Sequence, residues 1–190
     1  MEKDIKLEKL NIRQTIKVYN KSLKHAFPAN ERRPLIHIIR GMIIGSYECI
    51  GAFDEGEIVG YAFFVKQDRD YLWDYFAVLE EYRCSGIGTK ILQAIKEYYK
   101  TADSIIGEVE NPALAGPDDD SEIMSRRLNF YLRNGCVDTG VRTETFGANF
   151  IIIMILDKNI DTSRVASLYE SHYRKFVPRR IYDANIKVYN

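Results

Sequence analysis

The chain has 190 residues, with 27 Lys and Arg against 27 Asp and Glu, so its formal net charge is zero. No long-range field draws such a chain to nucleic acid or to an anionic membrane. An apolar fraction of 46% with 12% aromatics is enough for a packed core, and the length suits one domain with a small appendage.

The start, MEKDIKLEKL, is charged throughout and does not read as a signal peptide. The longest purely apolar run, Phe150–Leu156, is too short to span a bilayer. Cys49, Cys84 and Cys136 make neither a disulfide framework nor a CxxC site, which suits a reduced cytoplasm. His25, His37 and His172 lack metal-ligand spacing, so no metal is expected.

In chain order, Ile5–Leu7 reads as a short strand. Asn11 is placed to cap a helix over Ile12–His25, with Ile12, Ile16, Tyr19 and Leu23 at helical steps. Pro34 sits near the start of a second helix, to about Ile44. Tyr47–Phe53 and Glu57–Lys66 are two strands of a hairpin around Asp54-Glu55-Gly56. Gln67–Asp70 is a polar turn. Tyr71–Val78 is a strand with Leu72, Asp74, Phe76 and Val78 on one face and Tyr71, Trp73, Tyr75 and Ala77 on the other. From Ile87 the apolar residues Ile87, Ile91, Leu92, Ile95, Tyr98 and Tyr99 follow a helix period.

Ser104–Glu110 is a strand, with Glu108 and Glu110 on one face. Pro112–Asp120 is a loop whose aspartates suit the start of the next helix, with Asp119-x-x-Glu122 as a variant capping box. That helix runs about Ser121–Asn134, and Gly135 is placed to end it. Val137–Thr143 and Asn149–Leu156 are strands around Phe146-Gly147. The second lacks alternation, which predicts cover on both faces. Beyond it, Val165, Leu168, Tyr169, His172, Tyr173 and Phe176 form a helical stripe. Pro178 ends that helix, and alternation over Ile181–Tyr189 predicts an added strand. The expected domains are therefore residues 1–158 and an extension, 159–190. The extension either packs on its own domain, forms a homodimer contact, or covers the acceptor site.

Between the strand ending at Val78 and the helix from Ile87 lies Arg83-Cys84-Ser85-Gly86-Ile87-Gly88-Thr89. A glycine loop that opens a helix presents unpaired first-turn N–H groups and the positive end of the helix dipole to an anion. The dinucleotide fingerprint needs a third glycine where Ile91 stands, and the P-loop needs Gly-Lys-Ser/Thr where Gly88-Thr89-Lys90 stands. Taken alone, the loop also reads as an ordinary Gly-x-Gly turn.

Arg83-x-x-Gly86-x-Gly88 resembles the Gln/Arg-x-x-Gly-x-Gly/Ala loop of the GNAT superfamily of N-acetyltransferases. The order β-α-α-β-β-β-α-β-α-β-β over about Asp4–Leu156 is that family's order. Asn129-Phe130-Tyr131-Leu132-Arg133-Asn134-Gly135-Cys136 resembles the end of its fourth helix, with Cys136 in place of the usual aromatic. Glu108-Val109-Glu110-x-Pro112 resembles a subset of the family with acidic residues on the following strand.

The resemblance implies an α/β or α+β fold with a mixed sheet of about seven strands and four flanking helices, extended at the C-terminus by a helix and a strand. It implies acetyl-CoA as cosubstrate and an amine acceptor, with no metal, and direct attack in a ternary complex. Cofactor contacts fall on the backbone of Phe76, Ala77 and Val78, beside which pantetheine lies, and on Arg83, Cys84, Ser85, Gly86, Ile87, Gly88 and Thr89. The N–H of Val78 polarises the acetyl carbonyl, and Arg83 pairs with phosphate unless it is only a surface arginine held by the turn. Cys84 is expected to be a small loop residue rather than a working thiol.

Tyr131 is the implied general acid, although Met124, Leu128 and Tyr131 also read as a core stripe. For the base, Glu108 is preferred to Glu110 and Asp74; a desolvated carboxylate suits that task, and an ordered water is the alternative. Carboxylates near the site favour a cationic, polyamine-like acceptor among small or protein amines. A different class of reading is a non-catalytic acyl-CoA sensor or interaction module. A nucleotide-binding protein is more distant.

Overall fold

The computed structural model of the chain describes residues 5–29, 31–117, 119–156 and 161–189. The chain divides into two compact units, one of Met1–Asp68 with Trp73–Thr101, the other of Arg69–Leu72 with Ala102–Asn190. The domain boundary expected after Lys158 falls at residues 157–160, outside the described residues.

In the first unit, β1 (Lys6–Lys9) leads to a helical stretch built of α1 (Ile12–Val18), a π-helical turn (Tyr19–Leu23) and α2 (Lys24–Ala26). Asn11 starts it with a complete capping box: its carboxamide oxygen takes the Gln14 N–H at 3.0 Å, and Gln14 Oε1 takes the Asn11 N–H at 2.9 Å. The helical stretch runs to Ala26, one residue past the predicted His25, and is underwound at Tyr19–Leu23, where the hydrogen bonds take the wider π register. α3 (Leu35–Ile43) follows, with Pro34 at its N-cap.

β2 (Tyr47–Asp54) and β3 (Glu57–Gln67) form the hairpin, and Glu55 (φ 50°) and Gly56 (φ 87°) make the turn. β4 (Asp70–Val78) follows, then α4 (Ile87–Tyr98). The strand order is β1-β2-β3-β4, with β1 and β3 each antiparallel to β2. The buried side of α4 is Ile87, Ile91, Leu92 and Ile95, each 1% exposed or less. One position controls how closely β4 and α4 approach β3. A Cβ on Gly60 would lie 2.7 Å from Ile91 Cδ1 and 2.8 Å from the Ala77 carbonyl oxygen.

In the second unit, β5 (Ser104–Glu110), α5 (Ser121–Arg133), β6 (Val137–Thr145) and β7 (Ala148–Leu156) are followed by α6 (Thr162–Phe176), α7 (Arg179–Asn185) and β8 (Ile186–Tyr189). The order is β5-β7-β6-β8, every pair antiparallel. Ile151–Ile155 is buried throughout, as its lack of alternation predicts. α5 is capped by Asp120, whose carboxylate takes the N–H groups of Glu122 and Ile123. The capping box expected on Asp119 is not formed; the Asp119 carboxylate takes the Gly116 N–H at 2.7 Å.

The architecture is the mixed α/β one expected, with eight strands among the described residues instead of about seven. The tail differs in detail. Only Ile186–Tyr189 is strand, paired with Arg142–Thr145 of β6. Arg179–Asn185 is helical, because Pro178 supplies the fixed φ of a helix start (φ −54°) and Pro178 carbonyl accepts from Ile181 and Tyr182.

Candidate active site

In the first unit the strand end, loop and helix start are continuous. Phe76, Ala77 and Val78 are half-buried at the end of β4. A 3-10 turn (Glu80–Tyr82) then reverses the chain, with Leu79 N–H on the Val59 carbonyl at 2.9 Å. Cys84 (φ 59°) and Gly86 (φ 79°) both take left-handed backbone, and Gly86 is the N-cap of α4. Only glycine takes that conformation without strain. Gly86 has no side chain to offer the helix, so none caps the first-turn N–H groups of Ile87, Gly88 and Thr89.

Residues Arg83, Cys84, Ser85 and Gly86 are exposed, while Ile87 is buried and anchors the helix end. Ser85 Oγ donates to the Tyr82 carbonyl at 2.6 Å, which pins the loop. Arg83 Nε donates to the Val78 carbonyl at 3.3 Å, so its guanidinium lies back over the strand end. The ten predicted cofactor residues are therefore brought together on one strand–loop–helix corner, with no side chain capping the first turn of α4. Cys84 is an exposed free thiol whose backbone closes the turn.

Asp74, also in this unit, is engaged elsewhere. Arg33 grips it with two parallel bonds of 2.9 and 3.0 Å, and Tyr47 OH donates at 2.5 Å. Both ends of the ion pair are nearly buried, at 12% and 8% side-chain exposure. Burial, with the Asp74 carboxylate beside it, raises the Tyr47 phenol well above its ordinary range. This is a structural carboxylate that ties β4 to the segment before α3.

In the second unit, Tyr131 is half-buried on α5, with its ring 5.3 Å from that of Phe130. Its carbonyl accepts the Cys136 N–H at 3.0 Å in the helix-ending turn at Gly135 (φ 75°). Burial raises its phenol above the ordinary tyrosine range; Cys136 and Glu110 add to this, and Arg127 opposes it. Glu110 is paired with Arg127, whose Nη1 reaches both carboxylate oxygens at 2.6 and 2.5 Å.

Glu108 is half-buried on β5 and meets α6. Tyr169 OH donates to Oε1 at 2.5 Å, and Tyr173 OH lies 3.0 Å from Oε1 and 2.9 Å from Oε2. Sequence reasoning placed both tyrosines on the apolar stripe of the extension and missed this contact. The available signal was an i, i+4 pair of phenols among otherwise apolar positions, since buried hydroxyls need partners.

Among the described residues, no group of three or more His, Cys, Asp or Glu side chains could hold a metal ion. No helix among them is long and apolar enough to cross a membrane.

Comparison with known families bears on the stretch that holds the strand–loop–helix corner and the helix ending at Gly135. Residues 45–135 match the family model of the acetyltransferase (GNAT) domain. Over those residues the chain is similar to the GNAT acetyltransferases. No curated protein matches its sequence.

Solved structures share the fold. A protein assigned to the GNAT acetyltransferases from Bacteroides thetaiotaomicron has a TM-score of 0.71 at 22% identity, over 90% of this chain and 98% of that one. A Bacillus subtilis acetyltransferase in complex with CoA has a TM-score of 0.54 at 15% identity, over 83% and 99%. A GNAT-family acetyltransferase from Elizabethkingia anophelis with acetyl-CoA bound has a TM-score of 0.53 at 15% identity, over 83% and 100%. At these identities the likeness is one of fold.

Proposed function

We propose that the chain is an N-acetyltransferase that moves the acetyl group of acetyl-CoA to a primary amine by direct attack in a ternary complex. The observation that carries this is the uncapped start of α4 behind left-handed Gly86, with Ile87, Gly88 and Thr89 offering backbone N–H groups beside exposed Arg83. That is the chemistry a pyrophosphate needs. The likeness in fold to chains solved with CoA or acetyl-CoA supports it.

In this reading the backbone of Phe76, Ala77 and Val78 holds the pantetheine arm, and the Val78 N–H polarises the acetyl carbonyl as it becomes an oxyanion. Glu108 takes the proton that the ammonium form of the acceptor must lose. The neutral amine nitrogen then bonds to the carbonyl carbon, the carbon–sulfur bond breaks, Tyr131 gives a proton to the departing thiolate, and the extra proton left on the acylated nitrogen restores the Tyr131 phenol. A phenol held above its ordinary range stays protonated at neutral pH, as this role requires. Much of the rate comes from holding both reactants together.

The acceptor is a small amine or a protein amine, and carboxylates favour a cationic one. A structurally similar enzyme is an aminoglycoside 6'-N-acetyltransferase complexed with coenzyme A, at 12% identity and a TM-score of 0.55. The setting is a reduced cytoplasm, in which Cys49, Cys84 and Cys136 stay free thiols. A homodimer through the extension belongs to the same proposal, and sedimentation velocity tests it; a monomer at all concentrations rejects it.

The test of function is release of free CoA thiol from acetyl-CoA in the presence of spermidine, kanamycin, free amino acids or a peptide with a free α-amine. Amine-dependent release with a matching acetylated product is expected. Acetyl-CoA binding without turnover on any of these overturns the enzyme reading in favour of an acyl-CoA sensor.

A further inference from the structure

We infer that Tyr169 and Tyr173 are positioning residues for Glu108, so that the C-terminal helix is a working part of the site and not an appended one. The inference rests on the proposed role of Glu108 as the base.

A helix that only covers a sheet needs apolar side chains. α6 instead buries two phenols, at 0% and 8% exposure, and aims both hydroxyls at one carboxylate. Burying a hydroxyl is unfavourable unless it is hydrogen-bonded, so the two rings are committed to this contact. Their centroids are 4.8 Å apart. Tyr169 OH is also 2.7 Å from Thr145 Oγ1. A phenol carries one proton, so if Tyr169 donates to Glu108 the Thr145 hydroxyl donates to Tyr169. The chain of donors therefore runs from Thr145 on β6 through Tyr169 to Glu108, and Tyr173 closes on both carboxylate oxygens from the other turn of the helix.

Ile152 of β7 stands opposite Glu108 in the sheet and carries no charge. On its own strand Glu110 is paired with Arg127 of α5. Both tyrosines of α6 act directly on the Glu108 carboxylate. Donors to a carboxylate favour its anion, and they hold a long side chain in one rotamer.

The test uses the full chain with its glutamate side chains labelled with carbon-13. The Glu108 signal is identified by its loss in Glu108→Gln and titrated in the wild type, Tyr169→Phe and Tyr173→Phe. Phenylalanine keeps the rings; if Tyr169→Phe does not fold, Tyr173→Phe carries the test. Loss of either hydroxyl is expected to move the Glu108 midpoint to higher pH by about one unit. The acid limb of kcat/KM with acetyl-CoA and spermidine should move the same way, with KM for acetyl-CoA unchanged. A midpoint that stays put overturns the inference. A midpoint that moves while kcat and its acid limb do not reduces the contact to a structural one, which also overturns it. Full activity in Glu108→Gln removes the base reading itself, and is recognised because the tyrosine variants still shift the midpoint.

Discussion

The Tyr173 hydroxyl lies between both carboxylate oxygens of Glu108, 3.0 Å from one and 2.9 Å from the other. Sixty-five residues separate the two in sequence. A carboxylate first seen as one of a pair on a strand is thereby set apart from its neighbour, because Glu110 faces Arg127 and Glu108 faces phenols. Two glutamates on the same strand face have been given different electrostatic surroundings, a guanidinium for one and phenols for the other.

Tyr131→Phe keeps the ring and removes the proton. If Tyr131 protonates the departing thiolate, kcat falls about 100-fold or more, while KM for acetyl-CoA stays near the wild-type value. The raised phenol adds a pH expectation: its proton is retained beyond the ordinary value of 10.0, so kcat should show no alkaline loss from Tyr131 below that pH. Steady-state kinetics against pH checks both.

Gly60→Ala places a Cβ against the Ala77 carbonyl oxygen and Ile91 Cδ1 at under 3 Å. The isoleucine can turn, but the backbone oxygen can yield only by moving the end of β4. A loss of about 1–3 kcal/mol in unfolding free energy is expected. Weaker acetyl-CoA binding should accompany it, because Ala77 and Val78 lead into the loop. Urea denaturation and calorimetry on the same preparation check the pair of effects.

Asp74→Asn leaves the Arg33 guanidinium nearly buried without its counter-charge. Breaking such a pair costs about 3–5 kcal/mol, with the lower end expected because asparagine still accepts a hydrogen bond. The variant that remains folded should keep the wild-type pH dependence of kcat, which distinguishes an anchoring carboxylate from a base.

His172 is 1% exposed, with Nδ1 2.7 Å from the Leu168 carbonyl oxygen. Burial holds its pKa below the ordinary 6.5, although the Leu168 and Asp70 carbonyls and the Asp70 carboxylate oppose the shift. The unfolded chain therefore binds a proton first as pH falls. The stability it contributes is complete above about pH 6.5 and is lost as pH falls from there toward the folded value. Thermal melts should show Tm dropping over that window in the wild type and a shallower drop in His172→Gln.

Much of this architecture was legible before any coordinates. Ser104–Glu110 matches its strand to the residue, and the positive φ of Gly86 is where the motif required it. These are local signals: alternation, capping side chains and glycine. Asn11 with Gln14 is equally local. What sequence could not show is pairing at a distance. Arg33 on Asp74 spans 41 residues, and Tyr169 on Glu108 spans 61. Neither partner carries a mark that names the other. Arg179–Asn185 failed for another reason: Tyr182, Ala184 and Ile186 alternate as a strand does, and the helix start at Pro178 overrides that pattern. The bulge in β6, where Gly140 (φ 82°) lets the register jump between Asp138 and Arg142, was hidden because an isolated glycine in a strand gives no register.

The claim on which the rest depends is that Arg83–Thr89 seats the pyrophosphate of CoA. Calorimetric titration of acetyl-CoA into the wild type and Gly86→Val tests it most directly. A Cβ at that position meets no neighbouring atom, so the substitution acts through its φ of 79° on the loop and not through crowding. Single-site binding by the wild type is predicted, with affinity at least about tenfold weaker in a Gly86→Val chain that melts as a folded protein. Equal affinity in the two would contradict the assignment.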